Sequence, residues 1–119
     1  MKYILGVYYE KLPDGSERKY HFFDTGTAYP NLGGSASYNF QLLKGDIMAL
    51  EYIVQNKNDF FTELYFGEDF YLKSNHLTTI VNYFVLEHGV SEDYQYEIPT
   101  DVLIEILKKY VSFVEKNPL

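Results

Sequence analysis

The 119-residue chain has no cysteine, no tryptophan, a single arginine and three histidines. Without cysteine there is no disulfide framework, no thiol nucleophile and no thiolate metal site. One arginine among ten bases leaves little with which to grip phosphate, so nucleic acid is not an expected partner. The apolar runs are a few residues long, far short of the roughly 20 needed to cross a bilayer. An overall charge of −7 would also be repelled by anionic headgroups, so no membrane role is expected. The first nine residues lack an apolar run ending in small residues. No secretory leader is therefore expected, and the cytoplasm is the expected location.

What is present is ordinary in bulk and unusual in two details. Apolar residues make up 46% and charged residues 23%, as in a globular protein, and 14.0 kDa is enough for one domain, residues 1–119, with a real core. The unusual details are 13 tyrosines with 9 phenylalanines, and 17 acids against 10 bases.

Residues 2–11 read as a strand, Pro13-Asp14-Gly15 as a chain reversal, and residues 17–25 as the returning strand. Three glycines and a proline make residues 26–35 a long loop. Alternation of Tyr38, Phe40 and Leu42 with Asn39 and Gln41 predicts a strand, which Gly45-Asp46 ends. Ile47, Leu50 and Val54 then predict a helix over 46–57, capped by Asp46. Thr62, Leu64 and Phe66 share one face of a further strand, and Gly67-Glu68-Asp69 turns into a strand over 70–73. Leu77, Ile80, Val81, Phe84 and Val85 fall at helical spacing, predicting a helix from Ser74 to His88-Gly89. Tyr94, Tyr96 and Ile98 predict a last strand. Pro99-Thr100-Asp101 opens a C-terminal helix striped by Leu103, Ile106, Leu107, Tyr110, Val111 and Val114, and Pro118 stops it. Hairpins outnumber βαβ units. The expected fold is α+β, a mainly antiparallel sheet of about five to six strands with about three helices packed on it.

Catalytic patterns are missing. His76 and His88 fall on one predicted helix about 18 Å apart, too far to share an ion, and His21 reads as a hydrogen-bonded strand residue. Gly33-Gly34-Ser35 lacks the Lys and Ser/Thr of a phosphate-binding loop. The adjacent pairs Glu68-Asp69 and Glu92-Asp93 read as solvated turns, not as carboxyls opposed across a glycosidase cleft. No enzyme activity, metal or cofactor is expected.

Charge is the informative feature. Between residues 59 and 105 stand ten acids and one base, Lys73, while Lys2, Lys11, Arg18, Lys19, Lys108, Lys109 and Lys116 lie toward the ends. Clustered like charges repel one another, and a cationic partner would turn that cost into fast association. Tyrosine suits the same surface, since its ring gives contact area and its hydroxyl a hydrogen bond. The expected partner-binding residues are Glu63, Tyr65, Glu68, Asp69, Tyr71, Glu92, Asp93, Tyr94, Tyr96 and Glu97.

In overall character across its length, this small, acidic, cysteine-free, aromatic-rich chain resembles the immunity proteins of bacterial polymorphic-toxin and contact-dependent inhibition systems. The resemblance implies an inhibitor that binds a cognate basic toxin, often a nuclease, by occupying or covering its cleft, acting as a monomer or weak dimer. Two other readings fit the same residues: a phage-encoded nucleic-acid mimic directed at a host defence nuclease, and a small ligand-binding domain or enzyme that uses the 26–37 loop as a lid. A structural subunit would instead expose a broad apolar patch.

Overall fold

The computed structural model describes residues 3–38 and 40–119. Its elements run β1 (Ile4–Lys11), β2 (Glu17–Asp24), α1 (Leu32–Tyr38), α2 (Phe40–Gln55), β3 (Thr62–Tyr65), β4 (Phe70–Ser74), β5 (Thr78–Glu87), β6 (Val90–Pro99) and α3 (Thr100–Lys116). β1 and β2 form a two-stranded antiparallel ribbon, and β3-β4-β5-β6 an antiparallel meander. Among the described residues the fold is α+β, with six strands in two sheets and three helices.

The β1–β2 hairpin closes where Pro13-Asp14-Gly15 requires it. Gly15 takes φ of +89°, and the Asp14 carboxylate accepts the Ser16 amide at 2.9 Å. An isolated ribbon is marginal in water, so this one needs a surface to rest on. Phe23 supplies it by stacking on Tyr110 of α3 with ring centroids 4.8 Å apart. Near the end of α3, His21 Nε2 lies 2.5 Å from the Asn117 carbonyl; a carbonyl only accepts, so Nε2 carries the proton.

The main core forms between the meander and the helices. Leu43, Ile47 and Leu50 of α2 and Leu103, Ile106 and Leu107 of α3 meet Leu72, Val81 and Ile98 from the sheet. Behind this layer a chain of buried hydroxyls joins three elements. Ser74 contacts Thr79 at 2.9 Å, Thr79 contacts Thr100 at 2.9 Å, and Thr100 donates to the Asn75 carbonyl at 2.8 Å.

Three sequence expectations are corrected. Residues 26–35 are not all loop, because α1 begins at Leu32 in spite of Gly33-Gly34. Thr25 fixes that start: its hydroxyl accepts the Gly33 amide at 3.2 Å and donates to the Tyr29 carbonyl at 2.6 Å. A Cβ at Gly33 would collide with the Phe23 carbonyl, so this glycine lets helix and strand touch. The strand expected around Tyr38, Phe40 and Leu42 is helical on both sides of Asn39, which, like Lys2, lies outside the described residues. Three alternating residues were outweighed by Leu43, Ile47, Leu50 and Val54 at helical spacing, which carry α2 straight through Gly45-Asp46. Asp46 is an interior residue of α2, not its cap.

The third correction is the largest. The helix expected from Ser74 to His88 is the end of β4, a turn and β5. Asn75 makes the turn by accepting the Leu77 and Thr78 amides on its side chain, at 3.0 and 2.8 Å. His88 and Gly89 both have positive φ, +51° and +77°, the backbone of a two-residue hairpin turn between β5 and β6. The helical spacing arose because β5 is central and apolar on both faces, so the spacing of its apolar residues carries no period.

Gly33→Ala should lower stability by about 1–3 kcal/mol in chemical denaturation through overpacking. Gly34→Ala, where a Cβ meets nothing, should be neutral or mildly stabilising. Burial pushes the Asp46 carboxyl up to about 6, so the native state holds a proton that the unfolded chain releases near pH 4. Its contribution to stability therefore falls as pH rises from about 4 to about 6 and is flat above; Asp46→Asn should raise the melting temperature at pH 7.5 more than at pH 4.

Candidate functional site

All three helices lie on one face of the meander, and strand alternation decides what the other face carries. The register pairs Glu63 with Lys73, Lys73 with Ile80 and Ile80 with Glu97, so these four form one row across the outer face. The next row on that face is Tyr65, Tyr71, Asn82 and Gln95. A third contains Phe84 and Asp93, which pair directly, and the Phe84 amide donates to the Asp69 carbonyl at 3.1 Å. By strand geometry these rows span roughly 13 Å along the strands and about 14 Å across them. Tyr65 is 61% exposed and its ring stacks on Tyr71 at 5.6 Å, placing an aromatic pair in the middle row with carboxylates on either side.

The ten expected residues do not all share this face. Glu63, Tyr65, Tyr71, Asp93 and Glu97 do, with Glu68 and Asp69 on the adjoining β3–β4 turn. Glu92, Tyr94 and Tyr96 alternate with them along β6 and point to the helix side of the sheet. Tyr94 is exposed there because β5 and β6 run on past the end of β4, beyond the helices. It closes an aromatic row that crosses the sheet from buried Phe66 through Phe70 and Tyr83, with centroid spacings of 5.9, 6.0 and 5.2 Å. Tyr96 is half-buried and its hydroxyl donates to the Pro30 carbonyl at 2.9 Å, tying down the chain before α1. Burial pushes its phenol pKa well up, so this donor stays protonated. Ile80, Asn82 and Phe84 were missed because β5 was expected to be helical, and Lys73 and Gln95 because the neighbours that align them on this face lie on β5. The signal that would have found them is the β-branched and aromatic content of residues 78–85, ahead of a His88-Gly89 hairpin turn.

Electrostatically the two sides of the molecule differ. Four ion pairs occur among the described residues: Lys44–Glu115, Lys108–Glu51, Lys109–Glu105 and His76–Asp59. The three made by lysines all lie on α2 and α3. Among the described residues, none of Glu63, Glu68, Asp69, Glu92, Asp93 and Glu97 takes part in an ion pair. Lys73 faces Glu63 across the β3–β4 register without forming one. Two of the carboxylates are held by tyrosine instead: Tyr65 donates to Glu63 at 2.7 Å and Tyr94 to Glu92 at 2.6 Å, each two residues along the same strand face. Those hydrogen bonds raise the pKa of both phenols, keeping them protonated and donating, while the carboxylates keep oxygens free to accept from a cation.

A cavity of about 380 Å³ lies between the α1 start and the sheet, bounded by Asp24, Gly34, Asp69 and Phe84, with no histidine or base in its lining. Among the described residues no three histidine or carboxylate side chains gather as metal ligands, and no helix is long and apolar enough to cross a membrane. No protein-family model, curated protein or solved structure matches this chain.

Tyr96→Phe should leave the Pro30 carbonyl short of a partner and cost about 1 kcal/mol. Hydrogen exchange should show faster exchange confined to the segment around Tyr29–Leu32.

Proposed function

We propose that this protein is an inhibitor that binds and neutralises a cationic protein, a cognate toxin of the nuclease type, through the outer face of the meander. The observation that carries the reading is the uneven use of countercharge: among the described residues, the helix-layer acids Glu51, Glu105 and Glu115 have lysine partners, whereas the meander's acids have none. Unpaired carboxylates around stacked tyrosines suit a surface whose positive charge comes from a partner. A nuclease cleft is cationic because it must hold phosphate, and carboxylates in the place of phosphates would dock there under a steering field. Tyr65 and Tyr71 serve as contact anchors, Glu63, Asp93 and Glu97 as the charged rim, and Glu68 and Asp69 extend that rim. Glu92 and Tyr94 reach the same partner only if it also wraps the projecting β5–β6 hairpin. The chain's resemblance to bacterial immunity proteins gives the reading its biological setting.

The test compares two tagged proteins in affinity capture from the cells that make this chain: wild type, and a triple variant Glu63→Lys, Asp93→Lys, Glu97→Lys. All three sites are exposed, so the variant should fold with unchanged circular dichroism. Wild type should capture one basic protein in equal amount, and the variant at least tenfold less. The association rate with that purified protein should also fall as salt rises. Equal capture by both proteins, or a rate indifferent to salt, would overturn the electrostatic account.

A further inference from the structure

We infer that the cavity between Tyr71, Asn82, Phe84, Asp93 and Gln95 on the outer face of the meander is a pocket for one arginine side chain of the protein that docks there. That the arginine comes from a protein partner rests on the inhibitor reading above; the chemistry of the pocket does not. The cavity has a volume of about 360 Å³. Strand register sets its corners. Asn82 stands opposite Gln95 and Phe84 opposite Asp93, on strands about 5 Å apart, and the two pairs are about 7 Å from each other along the strands. Tyr71 stands opposite Asn82 on the other side and adds a second ring, which its stack on Tyr65 at 5.6 Å holds in place. Phe84 is 41% exposed, so an apolar ring faces water with a carboxylate as its direct neighbour.

The polar atoms around this cavity select for a charged donor. Gln95 Nε2 donates to Asn82 Oδ1 at 2.9 Å, which leaves the Gln95 carbonyl oxygen to accept. Asn82 Nδ2, the amide donor that would oppose a cation, is buried and has no hydrogen-bond partner among the described residues. Asp93 enters no ion pair among the described residues. A guanidinium answers each of these features: it has five N–H donors and no acceptor, grips a carboxylate through two of them, and lays its flat face on aromatic rings. A lysine ammonium would meet the carboxylate, but it is compact and strongly hydrated and gains less from the rings. The chain does not fill the pocket itself. Lys73 lies two rows away, about 13 Å along the strands. Arg18, the one arginine of the sequence, stands near the β1–β2 turn and donates to the Tyr20 hydroxyl at 3.1 Å.

Nuclear magnetic resonance titration of the isotope-labelled full chain tests this, using the blocked peptide acetyl-Gly-Arg-Gly-amide and its lysine and citrulline counterparts at one ionic strength. The arginine peptide should shift the amides of Asn82, Phe84, Asp93 and Gln95 saturably, with dissociation in the millimolar range. The lysine peptide should bind at least threefold more weakly, and the uncharged citrulline peptide at least tenfold. Asp93→Asn should weaken the arginine peptide at least fivefold, and Phe84→Leu, which keeps an apolar side chain but removes the ring, at least threefold. Glu105→Gln takes the same charge from α3 and should change nothing. Equal binding of arginine and lysine, shifts spread over every acidic segment, no saturable shift, or indifference to Asp93→Asn overturns the inference. These peptides need no toxin, so such a result removes the pocket while the capture experiment decides the inhibitor reading on its own.

Discussion

A single layer of helices shields only one side of a sheet, and the rest of this molecule is arranged around that limit. On the shielded side Leu72, Val81 and Ile98 are fully buried beneath α2 and α3. On the open side each strand must remain compatible with water while keeping enough side-chain contact to hold its neighbours. Tyrosine meets both needs there in the stacked Tyr65–Tyr71 pair, while on the helix side an aromatic row across the sheet shows the change of residue with exposure. Phe66 and Phe70 stand where cover is complete, and Tyr83 and Tyr94 where it thins and ends.

The same limit governs where charge is neutralised. Lys44, Lys108 and Lys109 on the helices are four residues from, or packed beside, an acid of α2 or α3, so pairing there is local. The meander offers only Lys73. Its acids stand in rows separated by uncharged Tyr71, Asn82 and Gln95, which eases repulsion within the face while leaving the summed field directed outward. A surface of this kind is stable alone and still attractive to a positive body.

Legibility in the sequence followed how local each cause was. Pro13-Asp14-Gly15, the stripe from Leu103 to Val111 and the alternation through Tyr94, Tyr96 and Ile98 each state their structure within a dozen residues, and all three elements are where the pattern places them. Alpha1 is different, since two adjacent glycines disfavour a helix and what holds it is Thr25 and the Phe23 backbone, close only in the folded state. Beta5 was hidden by being central, for a strand apolar on both faces loses the two-residue period that would announce it. The site inherited both outcomes. Its acids were legible as a cluster, but assigning them to faces required the β5 register, and with it Tyr96 becomes a tether for Pro30 and Glu92 moves to the helix side.

The buried hydroxyl chain from Ser74 through Thr79 to Thr100 carries a consequence for how the molecule comes apart. Thr79 is bonded on both sides, by Ser74 and Thr100, and Thr100 reaches on to the Asn75 carbonyl; the three hydroxyls belong to the end of β4, the start of β5 and the first turn of α3. Opening any one element breaks at least one of these hydrogen bonds in an apolar surrounding. Those three segments therefore open as one cooperative block, and the slowest-exchanging amides of the protein should be found together on them, while the far end of the β1–β2 ribbon breathes independently.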